Sequence, residues 1–273
     1  MNNHISIMGC GWLGLPLAKH LVKEGFSVKG STTTPDKIES IENHGIIPFL
    51  LKAGQEGKDM SRFLQSDLLV LNIPPGKSNE ESYISSMKSM AEIVALSPIR
   101  KVVYISTSSV YPNTNSIVSE EDASYQKTPR SGISMLEVED IWRGLTDITT
   151  LIIRFAGLYG PGRNPGRFLA GKETSGGSNP VNLIHLDDCI GIIEHFVHHE
   201  YPSATFNACA PIHPGRNAFY QQAAHLFGFD PPVFTAPEST DHKIVDSGKL
   251  LNVTKYRYRH PDPIASLPTL IDK

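Results

Sequence analysis

The run His4-Ile5-Ser6-Ile7-Met8, followed at once by Gly9-Cys10-Gly11-Trp12-Leu13-Gly14, reads as a short buried strand turning into a helix. Leu13, Leu17 and Leu21 recur every four residues through 12–24, and Gly25 stops the pattern. In such a turn the first glycine permits the tight bend and the second lets a pyrophosphate approach the backbone. The third lets helix and strand pack closely while the helix N-terminus faces the anion. Strand, turn and helix in this order point to a dinucleotide, where the hexamer alone would be only a glycine-rich turn. Gly9, Gly11, Trp12, Leu13 and Gly14 are therefore expected to hold the cofactor. Cys10 and Trp12 show no chemistry beyond packing.

The alternation continues outward. Residues 26–31 form a second expected strand, and 35–44 a helix opened by Pro35 and closed before Gly45. Residues 46–51 make a weak third strand, with Pro48 suggesting an edge. Asp67-Leu68-Leu69-Val70-Leu71-Asn72-Ile73 is apolar without alternation, as a strand buried on both faces requires. A helix over 79–96, a strand over 101–107, a helix over 131–145, a strand over 148–155 and a helix over 187–199 complete the series. This order predicts an α/β fold: a Rossmann-type doubly wound parallel sheet with a small C-terminal substrate-binding lobe. Residues 1–156, with 181–205 returning to them, are the expected dinucleotide-binding core. The Gly/Pro-rich stretch 157–180 reads as a substrate loop, joined by a lobe over 206–273. The tail beyond Tyr201 is too short and mixed for an independent core.

A site that prefers NAD wants an acidic residue about 20 positions after the turn, to hold the ribose hydroxyls. Here the second strand ends Ser31-Thr32-Thr33-Thr34, and Asp36 follows Pro35 at a helix start, where capping explains it. Ser31, Thr32 and Thr33 with Lys37 would instead receive a 2′-phosphate, so NADP is preferred over NAD. Ile73, Pro74 and Pro75 follow the buried fourth strand, where ligands bind in such sheets, and are expected to line the cofactor.

Composition narrows the classes. The chain has 273 residues, 40% hydrophobic and 19% charged, enough for a core and too apolar for a disordered chain. Lys+Arg 25 against Asp+Glu 28 leaves −3, which argues against nucleic acid or an anionic membrane as partner. Three cysteines without a CxxC pair fit a reducing, cytoplasmic setting. The glycines at 9 and 11 break up any signal-like apolar stretch, and no run approaches membrane-spanning length. No His, Cys, Asp or Glu set has metal-ligand spacing, so no metal is expected.

Four ordered segments, GCGWLG at 9–14, STSSVYP at 106–112, RFAGLYGPG at 154–162 and NLIHLDD at 182–188, resemble the extended and atypical short-chain dehydrogenase/reductases, the NAD-dependent epimerase/dehydratase-like proteins. The resemblance implies that Thr107, three residues before Val110, donates its hydroxyl to a substrate oxygen. It places Ser106 beside the cofactor, and Ser108 and Ser109 where sugar-nucleotide dehydratases have acids. The superfamily's Tyr-x-x-x-Lys pair falls on Ser131 and Met135, so the usual proton relay is missing. Tyr125, with Lys127 nearby, is a candidate replacement; Tyr111 is expected to pack. His185 either titrates or orients its loop, with Asp187 or Asp188 capping the next helix.

On the substrate side, Tyr159, Arg163 and Arg167 lie in the loop, where guanidinium groups suit a carboxylate or phosphate. Arg216, in FNACAPIHPGRN, resembles the segment that completes the family's substrate pocket. Arg154 is expected in a structural ion pair. The apolar positions of the helices 79–96 and 131–145 are either core or, as the resemblance implies, a homodimer interface. The reading is an NAD(P)-binding oxidoreductase, epimerase or dehydratase acting on a small, anionic or sugar-nucleotide-like molecule. The alternative is a sensor or scaffold that keeps the cofactor and has lost catalysis.

Overall fold

Leu68–Leu71 (β4) is buried along its whole length, and the computed structural model builds a seven-stranded sheet around it. The structure describes residues 4–76, 79–235 and 241–271. His4–Met8 (β1), Ser27–Thr32 (β2), Ile47–Leu50 (β3) and Lys101–Thr107 (β5) join β4, and each pairing from β5 across to β3 is parallel. The full order is Ala204–Ala208, Thr149–Phe155, β5, β4, β1, β2, β3. The strand order therefore reverses between β1 and β4, and a crevice opens outside their carboxyl ends. β3 is the edge strand, as its proline suggests: Pro48 has no N–H to give a further neighbour.

The chain divides into two compact units, one of residues 1–106, 130–153 and 192–205, the other of 107–129, 154–191 and 206–273. In the first, Gly14–Lys23 (α1) buries Leu17, Ala18 and Leu21 and ends before Gly25, whose φ of +90° suits glycine. Pro35 opens a 3₁₀ turn that runs into Ile38–Glu42 (α2). Lys58–Phe63 (α3) is a helix that the sequence pattern does not announce. Glu80–Ala95 (α4) starts where Asn79 accepts the Ser82 amide at 2.7 Å. It packs on Arg130–Arg143 (α5), with Met87, Met90, Val94, Leu136, Val138 and Trp142 buried.

The second unit corrects one expectation. The stretch 157–180 is not loop throughout: Gly157–Tyr159 pairs in parallel with Leu183–His185, and Glu173–Thr174 with Val233–Phe234. The tail beyond Tyr201 packs into a core shared with residues of 157–183. Tyr159, Val181 and Leu183 meet Phe219 and Ala223 of Arg216–Leu226, plus Leu267 and Leu270. Leu186–His198 (α6) follows the Leu183–His185 strand directly.

Candidate functional site

The first unit carries a cleft of about 380 Å³ over the switch point, lined by the glycine turn, the ends of β2 and β3, and 72–76 after β4. Gly9 has φ +102°, and a Cβ there would stand 2.4 Å from the Asn72 carbonyl oxygen. A Cβ on Gly14 would stand 2.1 Å from the Gly9 oxygen, so both positions require glycine for the fold itself. Gly11 differs: it is exposed, its φ is outside the left-handed region, and nothing lies within 4 Å of the Cβ it lacks. The turn is held by Gly9 N–H donating to Ser31 Oγ at 3.0 Å and Cys10 N–H to the Ser31 carbonyl at 2.8 Å. No side chain caps the α1 N-terminus and no acid sits in its first turn. An uncapped N-terminus beside an open glycine is what a pyrophosphate needs.

Gly9, Gly11, Ser31, Thr32, Thr33, Lys37, Ile73, Pro74 and Pro75 all line this cleft. Four expected cofactor residues do not. Leu13 is buried beneath the turn, Gly14 is filled by the Gly9 carbonyl, and Trp12 is half-buried outside the lining. Ser106 is buried and its hydroxyl donates to Glu139 at 2.6 Å. The lining adds Lys52, two residues beyond the end of β3, which sequence reasoning missed. No aspartate or glutamate is among the lining residues. Tyr83 braces the far wall by donating to the Ile73 carbonyl at 3.0 Å. Cys10 packs its sulfur against Gly30, and burial pushes its thiol up to about 12, so it is no nucleophile at neutral pH.

In the second unit Thr107 is half-buried, and its Oγ1 accepts the Ser109 amide at 3.1 Å. That bond uses a lone pair and leaves the hydroxyl proton for another acceptor. Ser108, also half-buried, begins the short turn that Thr107 caps. Tyr125 is 48% exposed. Tyr111 is fully buried, donates to Asn207 Oδ1 at 2.6 Å and accepts from Arg154 at 2.7 Å. Burial pushes its phenol up to about 12, against the pull of the Arg154 guanidinium. Arg154 also donates to the Glu120 carbonyl at 2.9 Å, so it is tied into the unit's interior. Met135 is buried at the superfamily's lysine position; the side chain of Ser131 lies outside the described residues.

Three expected substrate contacts serve packing instead. Tyr159 is fully buried, edge-on to His185 at 5.2 Å and to Phe219 at 6.2 Å, because the strand pairing turns it into the core. His185 is buried, and its Nδ1 accepts the Asp187 amide at 3.1 Å, so it begins α6 in the place given to the aspartates. Asp188 turns to the tail, accepting from Tyr256 and from the amides of Arg259 and His260. Arg216 donates to the Ser175 carbonyl at 2.8 Å and lies over Phe234, strapping the loop down. Arg163 and Arg167 stay exposed, the latter with its guanidinium over Phe229 at 5.6 Å. The absence of ligand spacing in the sequence does not carry over to space. Among the described residues, His185, Asp187 and His260 gather, and so do His20, Glu24 and Glu194.

Residues 4–132 match the sequence profile of the NAD binding domain of 6-phosphogluconate dehydrogenase. Protein YeeZ of Escherichia coli K12 is 36% identical over 272 residues, covering 95% of this chain and 97% of that protein. The chain belongs to the YeeZ family. A functionally unknown conserved protein from Silicibacter pomeroyi superposes with TM-score 0.81 at 22% identity, covering 98% of both chains. MoeE5, in complex with UDP-glucose and NAD, does so with TM-score 0.79 at 17% identity, covering 98% of this chain and 97% of that one. The solved structures share the fold, an α/β fold with a Rossmann-type parallel sheet, and residues 4–132 are similar to an NAD-binding domain. Among the described residues no helix is long and apolar enough to cross a membrane.

Proposed function

We propose that this protein is an NADP-preferring enzyme that exchanges hydride with a small, anionic or sugar-nucleotide-like carbonyl or alcohol. The observation that carries the reading is Gly11: the fold has no steric use for a glycine there, whereas a diphosphate lying against the backbone has one. When bound, the nicotinamide supplies hydride chemistry, and the chain's own residues do the rest. The turn amides and the α1 N-terminus hold the diphosphate. Ser31, Thr32 and Thr33 with Lys37 and Lys52 supply hydroxyl and ammonium donors, and no lining carboxylate opposes a 2′-phosphate.

Thr107, with its Oγ1 accepting the Ser109 amide, donates its proton to the substrate oxygen and polarises it. Of Tyr111, Tyr125 and Tyr159, only Tyr125 is exposed, so it is the tyrosine that could deliver a proton. Arg163 and Arg167 recognise the anionic part of the substrate; MoeE5, whose structure holds UDP-glucose, supports that class. One observation favours the second reading, a cofactor-binding sensor or scaffold: Met135 is buried where the relay's lysine would stand.

Calorimetric titration with NADP and NAD tests the cofactor assignment, with tighter NADP binding expected. No heat with either nucleotide would remove it. Single-turnover oxidation of bound reduced cofactor against a library of carbonyl compounds then separates enzyme from sensor.

A further inference from the structure

Helix α1 stands behind the glycine turn; its last turn carries His20 and its C-cap is Glu24, four residues on and so on the same face. Glu194 of α6, within the same compact unit, meets them. One ligand atom from each of the three lies within 4.8 Å of the others. We propose that His20, Glu24 and Glu194 bind a divalent transition-metal cation, with Zn²⁺ as its representative, and that the ion fastens α1 to α6.

The contact between His20 and Glu194 carries the argument. Nε2 of His20 is buried and lies 2.9 Å from Oε1 of Glu194, an ordinary hydrogen-bond length. Yet Nε2 has no hydrogen-bond partner among the described residues, so the oxygen stands off the axis along which the ring would donate. An ion pair would aim N–H at oxygen. Two ligands of one metal do the opposite: each points at the ion and stands sideways to the other. With metal–ligand bonds of about 2.1 Å, two ligand atoms come to rest about 3.0 Å apart at right angles, as in five- or six-coordinate sites, and about 3.4 Å apart at the tetrahedral angle; the 2.9 Å between nitrogen and oxygen fits the wider coordination. The charges agree, because a neutral imidazole between two carboxylates leaves two negative charges for a dication to neutralise. Imidazole with carboxylates suits first-row divalent metals.

The other histidine cluster is a weaker candidate. There the Nδ1 lone pair of His185 already accepts the Asp187 amide at 3.1 Å. His260 Nε2 stands 3.2 Å from Asp187 in a hydrogen-bonding arrangement.

The test is calorimetric titration of the chelator-stripped full chain with ZnCl₂ near neutral pH, alongside His20→Ala, Glu194→Gln and His260→Ala. One Zn²⁺ per chain is expected, with affinity reduced about tenfold or more by the first two changes and unaltered by the third. A thermal melt of each variant without metal checks folding, and Zn²⁺ should raise the melting temperature of the unaltered chain but not of His20→Ala. Absence of binding, binding that survives His20→Ala in a folded variant, or binding lost in His260→Ala would each overturn the assignment.

Discussion

The Gly9 amide donates to the Ser31 hydroxyl oxygen at 3.0 Å, tying the turn after β1 to the end of β2. The same hydroxyl points its proton at Met8 Sδ, 3.0 Å away. Ser31→Ala leaves a part-buried amide unmet, which costs about 1–2 kcal/mol. Because that amide belongs to the cofactor turn, nucleotide affinity should fall with stability. Urea unfolding and calorimetry on the same variant measure both.

Glu120 gives the second unit a pH dependence. Its carboxyl is buried, and burial raises its pKa above the ordinary 4.5, although the Asn207 amide bonded to it pulls the other way. A carboxyl raised on folding holds its proton more tightly in the native state. Its contribution is therefore complete below pH 4.5 and is lost as the pH rises through the native pKa. Glu120→Gln removes that titration and keeps an acceptor for the Asn207 amide. Above pH 4.5, chemical denaturation should show the native chain losing stability with rising pH relative to the variant.

Lys101 is only 4% exposed, and its ammonium donates to the carbonyls of Phe196 and His199 and to the Glu200 carboxylate. It satisfies the end of α6 from within the sheet. Lys101→Met should lower unfolding free energy by about 2–3 kcal/mol, since charged hydrogen bonds are lost and buried carbonyls left unmet. Glu200 is 78% exposed, and Glu200→Gln should change stability by no more than about 0.5 kcal/mol.

Thr107 should separate polarisation from structure. Thr107→Ser keeps the hydroxyl and the bond from Ser109, and should retain most of the turnover found with any accepted carbonyl. Thr107→Val keeps shape and loses the donor, and should reduce turnover about 10²-fold or more. Equal rates in the two variants would take Thr107 out of the chemistry.

Local signals made much of this protein legible in its sequence. The strand, glycine turn and helix over 4–24 are punctuated by residues with fixed backbone roles, and β4 is an unbroken apolar run. Asn79 marks a helix start by its own side chain. What stayed hidden depends on distant partners. Tyr159 looks like a loop residue until Gly157–Tyr159 pairs with Leu183–His185. Arg216 looks like a substrate ligand until its guanidinium meets the Ser175 carbonyl. Helix α3 is too short to show a period, having only Met60 and Phe63 to bury. Lys52 gave no local signal, because only the fold of β3 beside β2 brings it to the cleft that Lys37 lines. His20 and Glu194 come together only in space.

Gly11→Ala is the most direct trial of the account. Since nothing lies within 4 Å of the added methyl, the variant should melt at or slightly above the unaltered chain's temperature. Its NADP affinity, measured by calorimetry, should fall about tenfold or more, because the methyl occupies the diphosphate's place against the backbone. A stable variant that binds the nucleotide as tightly as the unaltered chain would contradict the account.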